Sequence, residues 1–485
     1  MRLHLLAAAT ALTLALAGCA SSGGLHPDGT ATDPSSLKAD RSLADFNASP
    51  AAWPTTDWWT GLGDTQLDAL MSEALRDNPG LGISDARARQ AQAQAGIADA
   101  ERGPTVNGGA SISGARIPTT LLPADDGGGH FEWAKYGYAS FKWGLDLWGG
   151  KRAAWQAAVG ASRAAEIDQH AARIELSGNV ARAYAQLNYA YAQQDLATGE
   201  LKRATQARDL TRQRVAAGID NRIQLKQAEG EVASAEQHVA LGDRAIDSAR
   251  SSLSVLLGKG PDRGLDIAKP QALKPATLAV PANLSVKLIG HRADLVAARW
   301  RVEAASQNIK VAKTEFLPNV SIGAMAGLIT LGGNNLFEAP ARFFQVGPSL
   351  SLPIFDGGRL RANLSGKDAE YDVAVAQYNQ TLVSAINQVS DDLSALRSLQ
   401  VQIDAQQRAE DAADQAWQLA LQRYQAGIGS YLEALSVRQQ LLVARQAMAS
   451  LHAQQIDLSV QLIQALGGGF QPQATPSPSS NPSRS

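Results

Sequence analysis

The sequence predicts a mostly α-helical protein that also carries membrane β-strands, with four strands and two long helical hairpins in each chain. Three observations predict this fold class. The chain is an internal repeat with an offset of about 210 residues. Each half contains a proline-free stretch of about 65 residues with helical periodicity. Each half also contains runs of about 10 to 13 residues in which apolar side chains alternate with small or polar ones.

Three motifs carry the repeat. RVAAGI at residues 214–219 returns as RYQAGI at 423–428, WGGKR from Trp148 returns with one inserted residue as FDGGR from Phe355, and GPTV from Gly103 returns as LPNV from Leu317. Each half therefore has the same order of elements: a helix, a proline stop, alternating strands, a Gly-Gly turn, a very long helix, a glycine turn and a second helix.

The very long helices are predicted over Gly150–Ala216 and residues 358–425. Apolar residues in both recur at alternating spacings of four and three, the pattern of a coiled-coil seam: Leu176, Val180, Ala183 and Leu187 in the first, and Leu382, Ile386, Val389, Leu393 and Leu396 in the second. About 65 residues at 1.5 Å each give about 100 Å of helix, which is more than a globular domain can bury. Gly218 and Gly427 suit left-handed C-caps, and a second helix then returns to about Leu257 or Leu466.

The strands are predicted between the helices. One alternating run begins near Trp133, another near Val320 and a third near Phe344, while residues 105–117 give the weakest candidate. Runs of this length suffice for tilted strands that cross a membrane. The alternative is a soluble β-sandwich with one face in water.

Four strands cannot close a barrel, and an open sheet edge in lipid would leave backbone hydrogen-bonding groups unpaired. Several chains must therefore contribute strands. Two chains would give eight strands, a barrel whose interior side chains fill, and three would give twelve, the smallest set expected to leave a water channel. This count favours a trimer and a conduit.

Both ends of the chain are predicted to lie outside the fold. Residues 1–18 have a basic start and an apolar run too short to span a bilayer, which is typical of a signal peptide. LAGC then matches the bacterial lipobox, so Cys19 is the predicted lipidation site, and Ala20 after it suggests sorting to the outer membrane. The alternative is an ordinary signal peptide followed by a chance cysteine.

These features predict six segments. They are a signal peptide at 1–18, a lipidated N-terminus and tether at 19–50, a first repeat at 51–260, an inter-repeat linker at 261–290, a second repeat at 291–469 and a disordered tail at 470–485.

The composition excludes several functional classes. The chain has 44 basic and 46 acidic residues and a net charge of −2. This balance gives no argument for a nucleic-acid partner, which normally needs a basic stripe. One cysteine excludes an internal disulfide and a cysteine-based zinc site, and the seven histidines form no metal-binding motif. No P-loop and no Gly-x-Ser-x-Gly motif is present. We therefore expect neither an enzyme nor a cofactor or metal.

Four segments resemble the TolC-like family of outer-membrane efflux proteins, in particular the lipoproteins of the NodT/OprM type. They are WWTGLGDTQLDALMSEALRDNPGL from Trp58, FLPNVSIGAMAGL, LSLPIFDGGRLRANL and LALQRYQAGIGSYLEAL, and the resemblance covers about residues 53–469. It implies a homotrimer with a 12-stranded β-barrel surrounded by outer-membrane lipid and an α-barrel of about 100 Å in the periplasm.

The resemblance also implies a function, that of a passive exit duct in a tripartite drug or toxic-compound efflux system. The duct would dock on a periplasmic adaptor (membrane fusion) protein and an inner-membrane transporter of the RND or major-facilitator type. One alternative is a type I secretion duct of the same fold, which exports polypeptide. Another is a lipid-anchored structural coiled coil, which leaves the amphipathic strands unexplained.

Members of this family narrow their tube just after the second glycine turn, at positions held here by Leu432, Glu433 and Ser436. Leu432 keeps the apolar constriction, and Glu433 is the expected cation-attracting group. Ser436 stands where an aspartate is usual, which removes one ring of charge. The alternative for Glu433 is a solvated charge on the helix surface.

The two glycine turns are the adaptor contacts that the resemblance implies. Their residues are Arg214, Gly218 and Ile219 in the first turn, and Arg423, Gly427 and Ile428 in the second. Capping alone also accounts for this pattern, because glycine permits the turn and arginine complements the helix macrodipole.

Overall fold

The computed structural model describes residues 22–37, 41, 48–49, 53–116, 118–120, 123–126, 129–275, 280–281, 290–331 and 335–471. The predicted signal peptide, Cys19 and most of the predicted tail lie outside the described residues. The described chain forms two compact units. The first contains residues 22–31, 87–165 and 298–378, and the second contains residues from 32–86, 166–297 and 379–471.

The first half of the chain contains β1 (Ala48–Ser49), α1 (Thr65–Asp77), α2 (Pro79–Ala100), β2 (Thr105–Arg116), β3 (Phe131–Gly144), α3 (Gly150–Ala216), α4 (Arg222–Leu256) and the short α5 (Asp262–Leu265). After β4 (Val280–Pro281), the second half contains α6 (Ala293–Thr314), β5 (Asn319–Leu331), β6 (Arg342–Ser351), α7 (Arg359–Gln425) and α8 (Tyr431–Ala465). Short 3₁₀ helices lie at Pro34–Ser36, Trp58–Leu62, Ala124–Asp126 and Ala339–Ala341.

The predicted internal repeat is confirmed by element lengths. Helices α2 and α6 have 22 residues each, α3 and α7 have 67 each, and α4 and α8 have 35 each. The predicted coiled-coil seams are also confirmed, since every seam residue is buried except Ala183, which is partly buried. Each half thus folds into the predicted hairpin of one very long helix and one returning helix.

The first unit holds an antiparallel sheet in the order β2-β3-β5-β6. All four predicted strands are confirmed, including the weakest candidate, which forms the 12-residue strand β2. Tyr138 of β3 lies opposite Gly109 of β2 and Gly327 of β5, and Gly327 lies opposite Phe343 of β6. This register fixes which side chains share a face.

We call the two sides of this sheet the apolar face and the small-residue face. The apolar face carries Val106, Ile112, Trp133, Phe141, Trp143, Ile322, Leu328, Phe344, Val346 and Leu350. On the small-residue face most positions are Gly, Ser, Ala or Asn. The larger side chains there include the aromatic Tyr136, Tyr138 and Phe343, together with Lys142, Met325, Ile329, Leu331 and Gln345. Phe344 is 87% exposed and Val346 is 74% exposed. A face this apolar and this exposed requires a non-aqueous partner.

Residues 22–31, which we call the N-terminal strap, lie against helices of the first unit. Leu25 packs on a buried cluster that includes Ile309 of α6 and Leu364 of α7. The Nη1 of Arg361 donates to the Gly23 carbonyl at 3.3 Å, and the Gly29 amide donates to Asp372 Oδ1 at 2.6 Å. This part of the predicted tether is therefore docked, because it offers an apolar side chain and backbone groups that the helix can bind.

The core of the second unit forms where α1 packs on α3, α4 and α8. Tyr184 of α3 is fully buried, and its hydroxyl donates to Asp64 Oδ2 at 2.6 Å. Asp64 also caps α1 by accepting the Gln66 amide at 2.9 Å, and it accepts the Gln271 amide at 2.9 Å. Burial, and then the bond to Asp64, raise the pKa of Tyr184, so it remains a neutral donor. One carboxylate thus ties the start of α1 to α3.

In the described part of the chain, no helix combines the length and the apolarity needed to cross a membrane. Within the same residues, no three side chains of His, Cys, Asp or Glu are grouped so that they could hold a metal ion.

Candidate functional site

The candidate site lies in the second unit at the ends of the two hairpins, where α3 turns into α4 and α7 turns into α8. The predicted left-handed C-caps are confirmed, with φ of 73° at Gly218 and 77° at Gly427. In each turn the next isoleucine amide donates back to an arginine carbonyl, from Ile219 to Arg214 at 2.9 Å and from Ile428 to Arg423 at 3.0 Å. These bonds satisfy carbonyls that the helix ends would otherwise leave unpaired.

Each returning helix begins with a side-chain cap. Asn221 and Gln224 form a reciprocal capping box at the start of α4. At the start of α8, Ser430 Oγ accepts the Glu433 amide at 3.0 Å. Each turn is therefore fixed by a C-cap on the helix before it and by an N-cap on the helix after it. These caps make each hairpin end a rigid surface.

An apolar side chain projects from each turn. Ile219 is 64% exposed and Ile428 is 72% exposed. Exposed isoleucines at the same place in two rigid turns suit an apolar contact with another protein. The adaptor contact itself stays a prediction.

The first turn is tied to the second hairpin by three residues that we call the tip lock, Arg214, Asp220 and Tyr424. The Nε of Arg214 donates to Asp220 Oδ2 at 2.8 Å, and these side chains are 18% and 6% exposed. The Tyr424 hydroxyl donates to the same oxygen at 3.2 Å, and the Arg214 guanidinium carbon lies 4.9 Å from the Tyr424 ring centroid. Asp220 therefore joins α3 of one hairpin to α7 of the other.

The protonation states of Arg214 and Tyr424 suit these contacts with Asp220. The bond to Asp220 raises the pKa of Arg214, which stays charged. Burial raises the pKa of Tyr424, which stays a neutral hydrogen-bond donor. Arg214 was predicted to contact the adaptor. In the structure its side chain instead binds Asp220 and Tyr424 of its own chain.

Sequence reasoning did not single out Asp220 or Tyr424. A usable signal lies in the places where the two repeats differ. Tyr424 lies three residues before the turn glycine of the second repeat, where the first repeat has Val215. Asp220 lies two residues after the turn glycine of the first repeat, where the second repeat has Gly429. The lock is built from these departures, because an exact repeat would have left the two hairpins without complementary partners.

A buried cluster continues the contact between hairpins. Tyr424 and Tyr431 lie 5.7 Å apart between ring centroids, and both belong to a cluster with Ala228 of α4, Ala420 of α7 and Ala434 of α8. The small alanines let the helices approach closely around the two tyrosines.

Further along α8, a buried ion network again joins the hairpins. Glu200 of α3 accepts Nε and Nη2 of Arg438 of α8 at 2.9 and 2.7 Å, and it accepts Nε of Arg203 at 2.7 Å. The Arg438 guanidinium carbon lies 5.4 Å from the Trp417 ring. Burial alone would raise the pKa of Glu200, but the bonds from Arg203 and Arg438 lower it below its usual value. Removing one partner would leave a buried charge, so the network resists separation of α3 and α8.

The structure brings the three predicted gate residues together on one exposed face of the first turns of α8. Leu432 is 60% exposed, and Glu433 and Ser436 are exposed beside it, while Tyr431 and Ala434 fill the opposite, buried face. The Oε1 of Glu433 lies 3.8 Å from Nε of Arg423, and both side chains are about half exposed. Such an exposed pair contributes little to stability. The gate role of these residues stays a prediction.

Charged hydrogen bonds lie on both sides of the predicted gate residues. The tip lock precedes the predicted gate in α8 and the Glu200 network follows it, so both flank the turns that carry Leu432. The tip lock joins α3 to α7, and the Glu200 network joins α3 to α8. Separating the second hairpin from α3 would therefore break hydrogen bonds of both.

Comparison with known proteins identifies the class. The sequence profile described as "Outer membrane efflux protein" matches residues 70–259 and 284–468. The multidrug resistance outer membrane protein MdtP of Shigella flexneri is 30% identical over 439 residues, covering 88% of this chain and 89% of MdtP. The toluene efflux pump outer membrane protein TtgI of Pseudomonas putida is 30% identical over 437 residues, covering 87% of this chain and 92% of TtgI.

A solved structure agrees with these relatives. The outer membrane protein VceC from Vibrio cholerae superimposes with a TM-score of 0.80 at 34% identity, covering 86% of this chain and all of VceC. The fold and the relatives define an outer-membrane channel component of efflux pumps that extends into the periplasm. The chain belongs to the outer membrane efflux protein family.

Proposed function

We propose that three copies of this chain form a passive duct whose 12-stranded β-barrel closes by pairing β6 of one copy with β2 of the next. The sheet is the observation that carries this proposal: β2 and β6 stand at its two ends. Its apolar face suits lipid and its small-residue face suits a water-filled interior. Unpaired edges are prohibitive in lipid, and three copies are the smallest set that leaves a water channel.

The proposal divides the chain into the predicted repeats at 51–260 and 291–469, joined by 261–290. The two segments matched by the family profile, 70–259 and 284–468, support this division. In each copy both hairpins continue the duct as a periplasmic α-barrel.

The duct docks on a periplasmic adaptor (membrane fusion) protein and an inner-membrane transporter of the RND or major-facilitator type. The exposed Ile219 and Ile428 support an adaptor contact at the turns. The names of MdtP and TtgI support a cargo of drugs and of small apolar compounds such as toluene.

Lipidation of Cys19 anchors each copy in the outer membrane. Only Ala20 and Ser21 separate Cys19 from Ser22, the first residue of the described strap. The strap is held by Arg361 in the first turn of α7, and α7 follows β6 after a short connection. This position at the base of the sheet supports an anchor at the membrane boundary.

The gate closes at Leu432, and Glu433 attracts cations. Threefold symmetry would repeat both residues around the axis, giving a dry apolar constriction and a ring of negative charge. The positive charge of Arg423 beside Glu433 reduces the negative potential of that ring, and Ser436 adds no charge to it. In the closed position the tip lock holds α7 and the Glu200 network holds α8 against the first hairpin. Docking of the adaptor at the turns releases both helices.

Two readouts test the proposed function. Purified protein in a planar bilayer is expected to give discrete single-channel currents. The double variant Ile219→Glu/Ile428→Glu is expected to keep this conductance but to lose drug export in cells, because charge replaces an apolar contact. Ile219→Val/Ile428→Val is the control and should export normally. Export that survives the glutamates would show that the turns are not the docking surface.

A further inference from the structure

Three aromatic residues interrupt the small-residue face of the sheet. Tyr136 and Tyr138 of β3 and Phe343 of β6 share this face by register, and we call them the aromatic platform. The Tyr136 ring lies 5.0 Å from the Tyr138 ring and 5.6 Å from the Phe343 ring between centroids, with interplanar angles of 30° and 16°. They are the only aromatic side chains on this face among the described strand residues.

Glycines on the neighbouring strands make room for the platform to lie flat. A Cβ at position 109 would lie 2.7 Å from Cε1 of Tyr138, and a Cβ at position 327 would lie 2.8 Å from Cε1 of Phe343. The ring of Tyr138 therefore lies over Gly109 and the ring of Phe343 lies over Gly327, where a larger residue would collide with them. The platform residues are only partly buried, so part of each ring remains accessible.

A sulfur contact fixes the third ring. The Tyr136 hydroxyl donates to Met325 Sδ of β5 at 3.2 Å. Tyr136 is thus held by β5 at its hydroxyl and by Phe343 at its ring, so the platform presents a pre-formed surface. A surface that is ordered before a ligand arrives loses little conformational entropy on binding.

We propose that the aromatic platform is a transient binding site for planar aromatic solutes that pass through the duct. The proposal rests on the proposed function, because that function places the small-residue face towards the lumen. Ile329 and Met325 of β5 lie beside Tyr136, and the other neighbouring positions on this face are mainly Ser, Gly and Asn. These neighbours offer ordinary apolar contact at most, and none of them offers a π-face. Stacked rings on a partly buried platform attract other rings in offset or edge-on geometry. Saturated solutes of the same size gain only the ordinary burial of apolar area.

Threefold symmetry would place three platforms at one level of the barrel. A solute that leaves one platform would meet another across the lumen, which slows its passage there without closing the pore. The platform would therefore distinguish solutes by shape and π-character, whereas the gate at Leu432 and Glu433 distinguishes width and charge.

The test compares two cations that differ only in aromaticity, benzyltrimethylammonium and (cyclohexylmethyl)trimethylammonium. The measurement is the dwell time of each probe in single channels of the full-length protein in planar bilayers. Equal charge cancels any effect of Glu433. Wild-type channels are expected to hold the aromatic probe about two- to tenfold longer than the saturated one.

Phe343 and Phe344 supply a matched pair of variants, since they are neighbours on opposite faces of β6. Phe343→Leu is expected to reduce the dwell-time ratio towards one, and Phe344→Leu is expected to leave it unchanged. Tyr136→Leu tests the same platform from β3 in case Phe343→Leu fails to insert. Equal dwell times in wild-type channels, or a ratio that survives both platform variants, would overturn the platform alone. A wild-type protein that inserts but never conducts would overturn the duct and the platform together.

Discussion

Replacing Tyr424 by phenylalanine tests whether the tip lock holds the duct closed. The change removes one hydrogen bond, the 3.2 Å contact to Asp220, and keeps the ring that lies beside Arg214 and Tyr431. A hydrogen bond to a charged carboxylate contributes at least about 1.5 kcal/mol. If the three copies of the proposed trimer open together, the difference is about 4.5 kcal/mol, which multiplies the ratio of open to closed channels by roughly 2,000.

The assay is the fraction of time that single channels are open in a planar bilayer at fixed voltage. Tyr424→Phe is expected to raise this fraction. Asp220→Asn is expected to raise it further, because it removes the charge that accepts the bond from Arg214 as well as the bond from Tyr424. Tyr378→Phe is the control, since it changes the same helix about 70 Å from the turn. An unchanged open fraction in both Tyr424→Phe and Asp220→Asn would refute the lock.

The remaining predictions concern the anchor, the gate and one buried acid. Cys19→Ser is expected to abolish labelling by radioactive palmitate; normal labelling would rule out the anchor. Leu432→Ala is expected to raise single-channel conductance, and Glu433→Gln is expected to shift the reversal potential in a salt gradient towards lower cation selectivity; the gate lies elsewhere if neither changes. Asp392 is 6% exposed with no hydrogen-bond partner for Oδ2, and burial, together with the charge of Asp391, raises its pKa to about 6. A carboxyl with a raised pKa in the folded state destabilises the fold at neutral pH, because it must ionise in a buried site. Asp392→Asn is therefore expected to stabilise the protein by about 1 to 3 kcal/mol at pH 7.5. This gain should fade as the pH falls from about 6 to about 4, where the carboxyl becomes protonated. Thermal unfolding measures this gain, and Asp404→Asn, at an exposed position of the same helix, is the control. An equal gain at pH 4 and pH 7.5 would contradict the titration.

Most of the fold could be predicted because its signals are local. The seam of α7 repeats at four and three residues over several turns, and such a pattern has only one helical interpretation. Strand alternation from Trp133 onward likewise follows from the period of two in an extended chain. The turn glycines Gly218 and Gly427 were predictable because only their backbone conformation was at issue.

The contacts that join distant segments could not be predicted in this way. Asp220 and Tyr424 lie 204 residues apart, and Glu200 and Arg438 lie 238 residues apart. Their pairing depends on how one hairpin is placed along the other, which no periodicity within a hairpin determines. The docked strap was missed for a related reason, since Leu25 is a single apolar residue in a polar segment and its pocket lies on α6 and α7.

Disulfide crosslinking between the sheet edges tests the central claim of a barrel closed by three copies. Val106→Cys on β2 is combined in turn with Cys at Phe344, Val346 or Leu350 on β6, all of which point to the apolar face. Residues that face each other on paired strands approach to about 5 Å between Cβ atoms, close enough for a disulfide. The account predicts that at least one pair gives, on oxidation, covalent species of one, two and three chains and nothing larger. A ladder that stops at two chains, or no crosslink across the whole scan, would contradict it.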